Sequence, residues 1–394
     1  MHPLRSVTVV GGGLAGFTVA RQLRANGFDG ALRIVDPQGL PYDRPPLSKA
    51  YLTGAATLEL APAAWYDDNA IAVITGHVTK LSPGTGGVLL GEGREITSDA
   101  VVLATGGSPR ALPNTRVLRS RADADALREA LRAGGELLII GAGLIGAEVA
   151  SSASTVGVPV TIVDPAAVPL VPAVGPELAG YLHAQHAKHG VRVIRGKPAR
   201  IGGGTADIER HDGTSVRLDA GTVLAAIGLG VDTGLAESAG LPVHDGIEVD
   251  PACRTSNPAI YAVGDIARTR LPDGTLLPRG EHWESAMLDG TAAARSLLGL
   301  PAVARPPAWF WSDRYGQHVE AAGSMCTPGT TVLRETGPGS RVAFRVDTAG
   351  KLVGCAAVDN GRTLRAARRL IAREAVVGVE ELRDPAVDLR KLGR

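Results

Sequence analysis

Between Val7 and Gly16 the chain reads VTVVGGGLAG, an apolar run that ends in Gly11, Gly13 and Gly16. The apolar pattern resumes through Phe17, Ala20 and Leu23, so the stretch reads as a strand, a tight glycine turn and a helix. Glycines there let the backbone approach a pyrophosphate, and the helix N-terminus supplies free N–H groups and partial positive charge. Twenty residues past Gly16, the run Leu32–Val35 ends in Asp36, where an acid can bond a ribose hydroxyl. The design recurs. Glu136–Ile140 is a strand, Gly141, Gly143 and Gly146 repeat the turn, and a helix follows through Glu148, Val149 and Ala150. The next strand, Val160–Val163, ends in Asp164, 18 residues after Gly146. Two such units imply two dinucleotides, one a tight prosthetic group and the other a diffusing cosubstrate. The motif fixes a dinucleotide and leaves open which one.

At 394 residues the chain is too long for one ordinary core, so two or three domains are expected. Its 41 basic and 40 acidic residues give a net charge of +1, which does not point to nucleic acid. Cys253, Cys326 and Cys355 are far apart and form no CxxC pair, so neither a metal nor a local dithiol site is expected. Sparse, odd cysteines fit a reducing cytosol. The start, MHPLR, runs straight into the first strand and leaves no room for a signal peptide. No apolar run approaches the ~18 residues of a membrane span. The expectation is a cytoplasmic protein without a membrane partner.

The remaining segments are read in order. In PYDRPPLSKAYLTG, from Pro41 to Gly54, the tandem Pro45 and Pro46 forbid a helix and stiffen the backbone, and Leu47–Leu52 then starts a short helix capped by Ser48. Arg44 and Lys49 are the reactive-looking charges of that segment. Val101–Pro109, VVLATGGSP, is a buried strand broken by small residues, which lets another backbone or a cofactor come close. Helices are expected at Ala122–Leu131, Glu177–His189 and Gly290–Leu298, and strands at Val191–Ile194 and Val223–Gly228, the latter ending in Gly. Ala206–Arg210 and Ser215–Leu218 read as a hairpin. The strand Ile260–Val263 delivers Gly264 and Asp265 at a sheet edge, a place suited to a polyol chain. Pro301–Pro307 reads as a linker to a region of short strands, among them Arg341–Val346 and Leu352–Val358. The final helix, Thr363–Glu374, belongs to a segment carrying Arg362, Arg365, Arg368, Arg369 and Arg373, read as a solvated face.

Six pieces, VVGGGLAG, PYDRPPLSKAYL, VLATGGSPR, IIGAGLIGAEVA, RTSNPAIYAVGDIA and WFWSDRYG, together resemble the FAD-dependent NADH:ferredoxin reductases that feed oxygenases. This is the putidaredoxin reductase-like family, with apoptosis-inducing factor a more distant relative. The resemblance implies an α/β fold of glutathione-reductase-like architecture, with two Rossmann-like dinucleotide-binding domains and an α+β C-terminal domain. The FAD domain would comprise residues 1–111 and 233–305, the NADH domain 112–232 and the C-terminal domain 306–394.

For FAD the resemblance implies Gly11, Gly13, Leu14, Ala15 and Gly16 at the pyrophosphate, Asp36 at the adenosine ribose, and Val78 by a backbone contact at the adenine end. Arg44, Ala104, Thr105, Gly106, Arg119, Gly264 and Asp265 join the same set, and Trp283 meets the pyrimidine edge of the flavin through its backbone. For NADH it implies Gly141, Gly143, Ile145 and Gly146; Gly228 joins the cofactor set, and Asp164, at the end of the strand after the second glycine turn, is expected to bond the ribose. Lys49 would approach the flavin N5 region and Glu148 would lie near the nicotinamide. As catalytic residues, the two are expected to form an ion pair. Trp309 or Trp311 would lie over the flavin entrance.

Electrons would pass from NADH through FAD to a small iron–sulfur ferredoxin. The chain lacks a ferredoxin cysteine set, so that partner would be a separate protein. The absence of a cysteine in the segment after Asp36 argues against disulfide-reductase chemistry. The rival readings are a redox-sensing flavoprotein like apoptosis-inducing factor and an NADH oxidase that uses oxygen. The resemblance is compatible with a monomer or a homodimer. Ser285 stands where the family usually has Asn and Arg314 where it usually has Gln; both are expected near the flavin or acceptor surface, and they bear on the acceptor rather than on the flavin. Arg314 and the Arg365–Arg373 row are expected to be exposed and to guide an acidic ferredoxin.

Overall fold

The computed structural model describes residues 4–54, 56–82, 86–337 and 339–392. Contacts divide the chain into two units. The first takes Met1–Arg44, Thr57–Ser108 and Leu229–Arg305, and the second takes Pro45–Ala56, Pro109–Gly228 and Pro306–Arg394.

Among the described residues of the first unit, a five-stranded parallel sheet has the order Ile260–Ala262, Ala100–Leu103, Ser6–Val10, Ala31–Asp36, Ile71–Thr75. The strands Ser6–Val10 and Ala100–Leu103 in the middle of the sheet are mainly apolar because both faces are covered, whereas the edge strand Ile71–Thr75 is partly exposed. Val7 and Val9 pack with Phe17, Leu23 and Ala294 on one face, while Val10, Val101, Leu103 and Ile260 pack on the other. Ser6–Val10 pairs with Ala31–Asp36 on one side and Ala100–Leu103 on the other. The chain order therefore reverses across this strand, which opens a crevice at its C-terminal end, where the glycine turn begins. The Leu14–Ala25 helix lies close over the strand because Gly16 has no side chain. A Cβ there would stand 2.1 Å from the Gly11 carbonyl oxygen.

The second unit repeats this plan. Leu137–Ile140 pairs in parallel with Val160–Asp164 on one side and Thr222–Ala225 on the other. The Leu144–Thr155 helix follows the turn, and a Cβ on Gly146 would stand 2.0 Å from the Gly141 carbonyl oxygen. Arg192–Gly202 extends well past its expected end because its second half pairs antiparallel with Thr205–Arg210, across a bulge near Pro198. The same unit holds an antiparallel five-stranded sheet among the described residues, in the order Trp309–Arg314, Gln317–Gly323, Leu352–Val358, Ser340–Asp347, Gly329–Gly337. The Gly361–Ala372 helix covers one face through Leu364, Ala367 and Leu370, against Val342, Phe344 and Ala357. The other face buries Val319, Ala343, Ala356 and Val358 against Leu178 and Leu182 of the Pro176–Lys188 helix.

Two expectations are corrected. Pro45 and Pro46 do not exclude helical backbone: they open a 3₁₀ turn, Pro45–Ser48, because proline's fixed φ suits the first turn of a helix. Residues 49–54 then run in turns, and the Ser48 hydroxyl caps nothing, being turned to Glu148 instead. The helix placed at Gly290–Leu298 starts seven residues earlier and spans Trp283–Leu297. Gly290 lies inside it because the helix crosses Leu14–Ala25 there, where a Cβ would come 2.6 Å from the Ala15 carbonyl oxygen.

Candidate functional site

The first unit presents a glycine cradle. Gly11 adopts φ +109°, and Gly13 precedes the helix with no side-chain cap and no acid in the first turn, so the first N–H groups, from Leu14 onward, are left for a ligand. A Cβ on Gly13 would meet only the Arg44 guanidinium within 4 Å, at 3.9 Å, so the space before the turn is open. Ala104 closes the back of the turn, its carbonyl oxygen 2.3 Å from where a Gly11 Cβ would be, and the chain then bends through Thr105 and Gly106 at φ +67°. Asp36 is buried, with Oδ2 accepting from the Gly12 N–H at 2.6 Å and Oδ1 from the Gln38 N–H at 2.7 Å. Val78 is buried in the apolar layer beneath the sheet. Gly264 turns the end of Ile260–Ala262 at φ +73°, and Trp283 starts its helix with Nε1 donating to Asp43 Oδ1 at 3.0 Å. Open space, free helix N–H groups and a fixed carboxylate together fit the pyrophosphate and ribose of a dinucleotide.

The second unit carries the same cradle. Gly141 adopts φ +102°, and a Cβ on Gly143 would meet nothing within 4 Å. Asp164 Oδ2 accepts from the Ala142 N–H and Oδ1 from the Ala166 N–H, both at 2.8 Å, matching the two bonds of Asp36. Ile145 is 46% exposed in the first helical turn, and Ile227 is exposed beside Gly228, which adopts φ +99°. Arg119 lies in this unit just before the Arg121–Ala133 helix, its backbone N–H donating to Asp123.

Glu148 lies in the same helix, two residues past Gly146, and is 5% exposed. Its carboxylate accepts from Ser48 Oγ at 2.5 Å and Ser312 Oγ at 2.7 Å, and Lys49 Nζ stands 3.3 Å away. The expected ion pair is present. Lys49 also faces Asp313 at 3.6 Å and lies over the Trp311 ring at 5.3 Å. One helical turn on, Ser152 Oγ donates to the Ser48 carbonyl at 2.9 Å, so the proline-stiffened segment is tied to the helix at two levels. Trp309 and Trp311 stack at 5.2 Å. Ser48 and Ser312 were missed as partners of Glu148. The legible signal was strand alternation in WFWSDR, which puts Ser312 and Arg314 on one inward face.

That alternation also corrects the reading of Arg314 as a surface residue. It is 3% exposed, and burial pushes its pKa down to about 10, against the opposing charge of Glu148. Its Nε and Nη2 make no hydrogen bond among the described residues. A buried guanidinium cannot steer a partner. In the terminal row, Arg362, Arg365, Arg369 and Arg373 are exposed, while Arg368 is half-buried and donates to the Pro307 carbonyl.

The family model for pyridine nucleotide-disulphide oxidoreductases matches residues 5–290, and that for the reductase C-terminal domain matches 309–393. The chain belongs to the pyridine nucleotide-disulphide oxidoreductase family. This oxidoreductase uses a flavin and a pyridine nucleotide, and both cradles fit such groups. It is similar to putidaredoxin reductase in that protein's covalent complex with putidaredoxin, at 31% identity and TM-score 0.91, over 99% of this chain and 98% of that one. It is also similar to the ferredoxin reductase for the CYP199A2 system from Rhodopseudomonas palustris, at 30% identity and TM-score 0.90, over 98% and 99% of the two chains. Fdr9 matches at 32% identity and TM-score 0.88, over 98% of this chain and 99% of that one. The oxidoreductase is thus putidaredoxin reductase-like. Among the described residues, no helix is long and apolar enough to cross a membrane.

Proposed function

We propose that this oxidoreductase passes electrons from NADH through FAD to a separate small iron–sulfur ferredoxin that serves an oxygenase. FAD would be held by residues 1–111 and 233–305, with Asp36 on its adenosine ribose and Asp265 on its ribityl side. NADH would be held by residues 112–232, with Asp164 on its ribose, and residues 306–394 would form the reductase domain. The observation that carries this reading is the pair of half-buried Lys49 with buried Glu148, which lies two residues past the last glycine of the second turn. Relatives named as ferredoxin reductases over nearly the whole chain support the acceptor.

A flavin, when bound, takes two electrons at once and releases them singly. Ser48 and Ser312 fix the Glu148 carboxylate, and Glu148 fixes the Lys49 ammonium. A preorganised ammonium stabilises negative charge without reorganising at the moment of reaction. Glu148, on the helix that opens the NADH cradle, fixes the approach geometry on which transfer depends. The test is steady-state NADH-dependent reduction of cytochrome c, with and without added ferredoxin. Turnover that requires ferredoxin supports the reading. NADH consumption that goes to oxygen and ignores ferredoxin overturns it.

A further inference from the structure

We infer that the buried pair Asp289–Arg305 is a positioning device for the Gly264–Asp265 turn, and through it for flavin affinity; this rests on the assignment of Asp265 to the flavin made above. Asp289 lies on the Trp283–Leu297 helix and is 6% exposed. Its Oδ2 accepts from the Gly264 N–H at 3.0 Å, and its Oδ1 pairs with Arg305 Nη2 at 2.6 Å. One carboxylate thus joins the turn that delivers Asp265 to the proline-rich segment after the helix.

The neighbouring contacts make this turn sensitive. A Cβ on Gly264 would stand 2.9 Å from the Ala15 Cβ, and one on Gly290 would stand 2.6 Å from the Ala15 carbonyl oxygen. Both glycines beside Asp289 therefore press on the first glycine turn, so a shift of Asp289 is felt at Ala15 as well as at Asp265. On the other side of the turn, Arg279 Nη1 donates to the Asp265 carbonyl at 3.1 Å. Beneath the pair lies Cys253, fully buried at φ +64°, with Sγ donating to the Asp289 carbonyl at 3.5 Å and Arg305 Nη2 at 3.6 Å from the sulfur. Burial raises the Asp289 carboxyl above its usual range, and Arg305 opposes that shift. Without Arg305, the carboxylate is a buried charge lacking its counter-ion, and it must move or take up a proton. A carboxylate that moves away takes its Oδ2 from the Gly264 N–H, and that displacement is what a neutral side chain in its place avoids.

The test titrates apoprotein of the full chain with FAD, following flavin fluorescence, with apoprotein unfolding recorded in parallel. Arg305→Gln is expected to raise the FAD dissociation constant about tenfold or more. Arg305→Lys, which keeps the charge, should stay within about threefold. Asp289→Asn added to Arg305→Gln should recover affinity, because an amide oxygen still accepts from Gly264 and no longer needs a counter-charge; lost packing alone gives no such rescue. In an Asp265→Asn background, Arg305→Gln should add little. Wild-type affinity in Arg305→Gln, or loss without rescue, overturns the inference while Asp265→Asn still weakens binding. If Asp265→Asn binds FAD as wild type does, the assignment of Asp265 itself has failed.

Discussion

Glu148 is placed so that each of its oxygens has a hydroxyl donor, and Lys49 supplies the counter-charge. Removing either charge leaves the other partly buried and unpaired, which both destabilises and misaligns. Lys49→Ala should slow flavin bleaching at saturating NADH in stopped flow, on the order of ten- to hundredfold. Glu148→Ala should do likewise, and the double variant should be less impaired than the two losses combined. Wild-type bleaching in both single variants would remove the pair from the mechanism.

A second residue makes a pH prediction. His186 is 1% exposed, with Nδ1 2.7 Å from the Tyr315 hydroxyl, and burial beside the Arg314 charge pushes its pKa down to about 3. The folded imidazole stays neutral where the unfolded one, near 6.5, takes a proton. Its stability contribution is therefore present above pH ~6.5 and is lost as pH falls toward ~3. Between pH 7 and 5 this amounts to a loss on the order of 2 kcal/mol. Urea unfolding of His186→Gln should show a pH dependence shallower by about that amount, and an unchanged slope would reassign the acid sensitivity to other groups. At this scale the sequence pointed to Glu148, Asp36 and Asp164 by their spacing from a glycine turn, and to Lys49 only through the proline-stiffened segment and the family resemblance. It did not show Ser48, Ser312 or Asp289, because their partners lie 100, 164 and 25 residues away, and no local pattern encodes such pairings.

At the scale of elements, both strand–turn–helix units were legible, since their signal is local: apolar runs, glycines where a Cβ would strike backbone, and an acid at the next strand end. One misread segment is set by tertiary packing and the other by proline's own preference for a first helical turn. Gly290 suggested a helix boundary and is instead a crossing point, and the Pro45–Ser48 turn is held to the Leu144–Thr155 helix by Ser152 and Glu148. The end of Val160–Asp164 carries its own prediction. Asp164 already accepts two backbone N–H groups, and the strand beside it offers Arg195, whose Nε donates to the Pro165 carbonyl. A 2′-phosphate beside Asp164 would place like charges together, at a cost of roughly 4 kcal/mol for a separation of about 4 Å and an effective dielectric near 20, before solvent screening. NADH should therefore exceed NADPH in kcat/KM by at least about tenfold and up to about a thousandfold. Asp164→Asn should narrow the ratio, and equal use of the two cofactors by wild type would refute the role of Asp164.

At the scale of the whole molecule, a net charge of +1 provides no general attraction for an acidic protein, so any steering must come from a local patch. The Gly361–Ala372 helix supplies one. Its apolar face is spent on Val342, Phe344 and Ala357, which leaves Arg362, Arg365 and Arg369 exposed, with Arg373 at its C-cap. The sequence pattern showed this division, since Leu364, Ala367 and Leu370 alternate with the arginines at helical spacing. It could not show that Arg368 turns back to Pro307 or that Arg314 is buried, because both depend on the neighbouring strands. Exposed charges act chiefly on association rate, and salt screens them with a Debye length of about 10 Å at 0.1 M. Raising ionic strength should therefore lower ferredoxin reduction while leaving NADH reduction of the flavin nearly unchanged. Arg365→Glu with Arg369→Glu should lower ferredoxin turnover at low salt, on the order of tenfold, and flatten its salt dependence. Arg314→Gln should leave that salt dependence intact, because a buried charge is already hidden from the partner. If the double reversal turns over ferredoxin like wild type at low salt, the row is a solvated face with no part in docking.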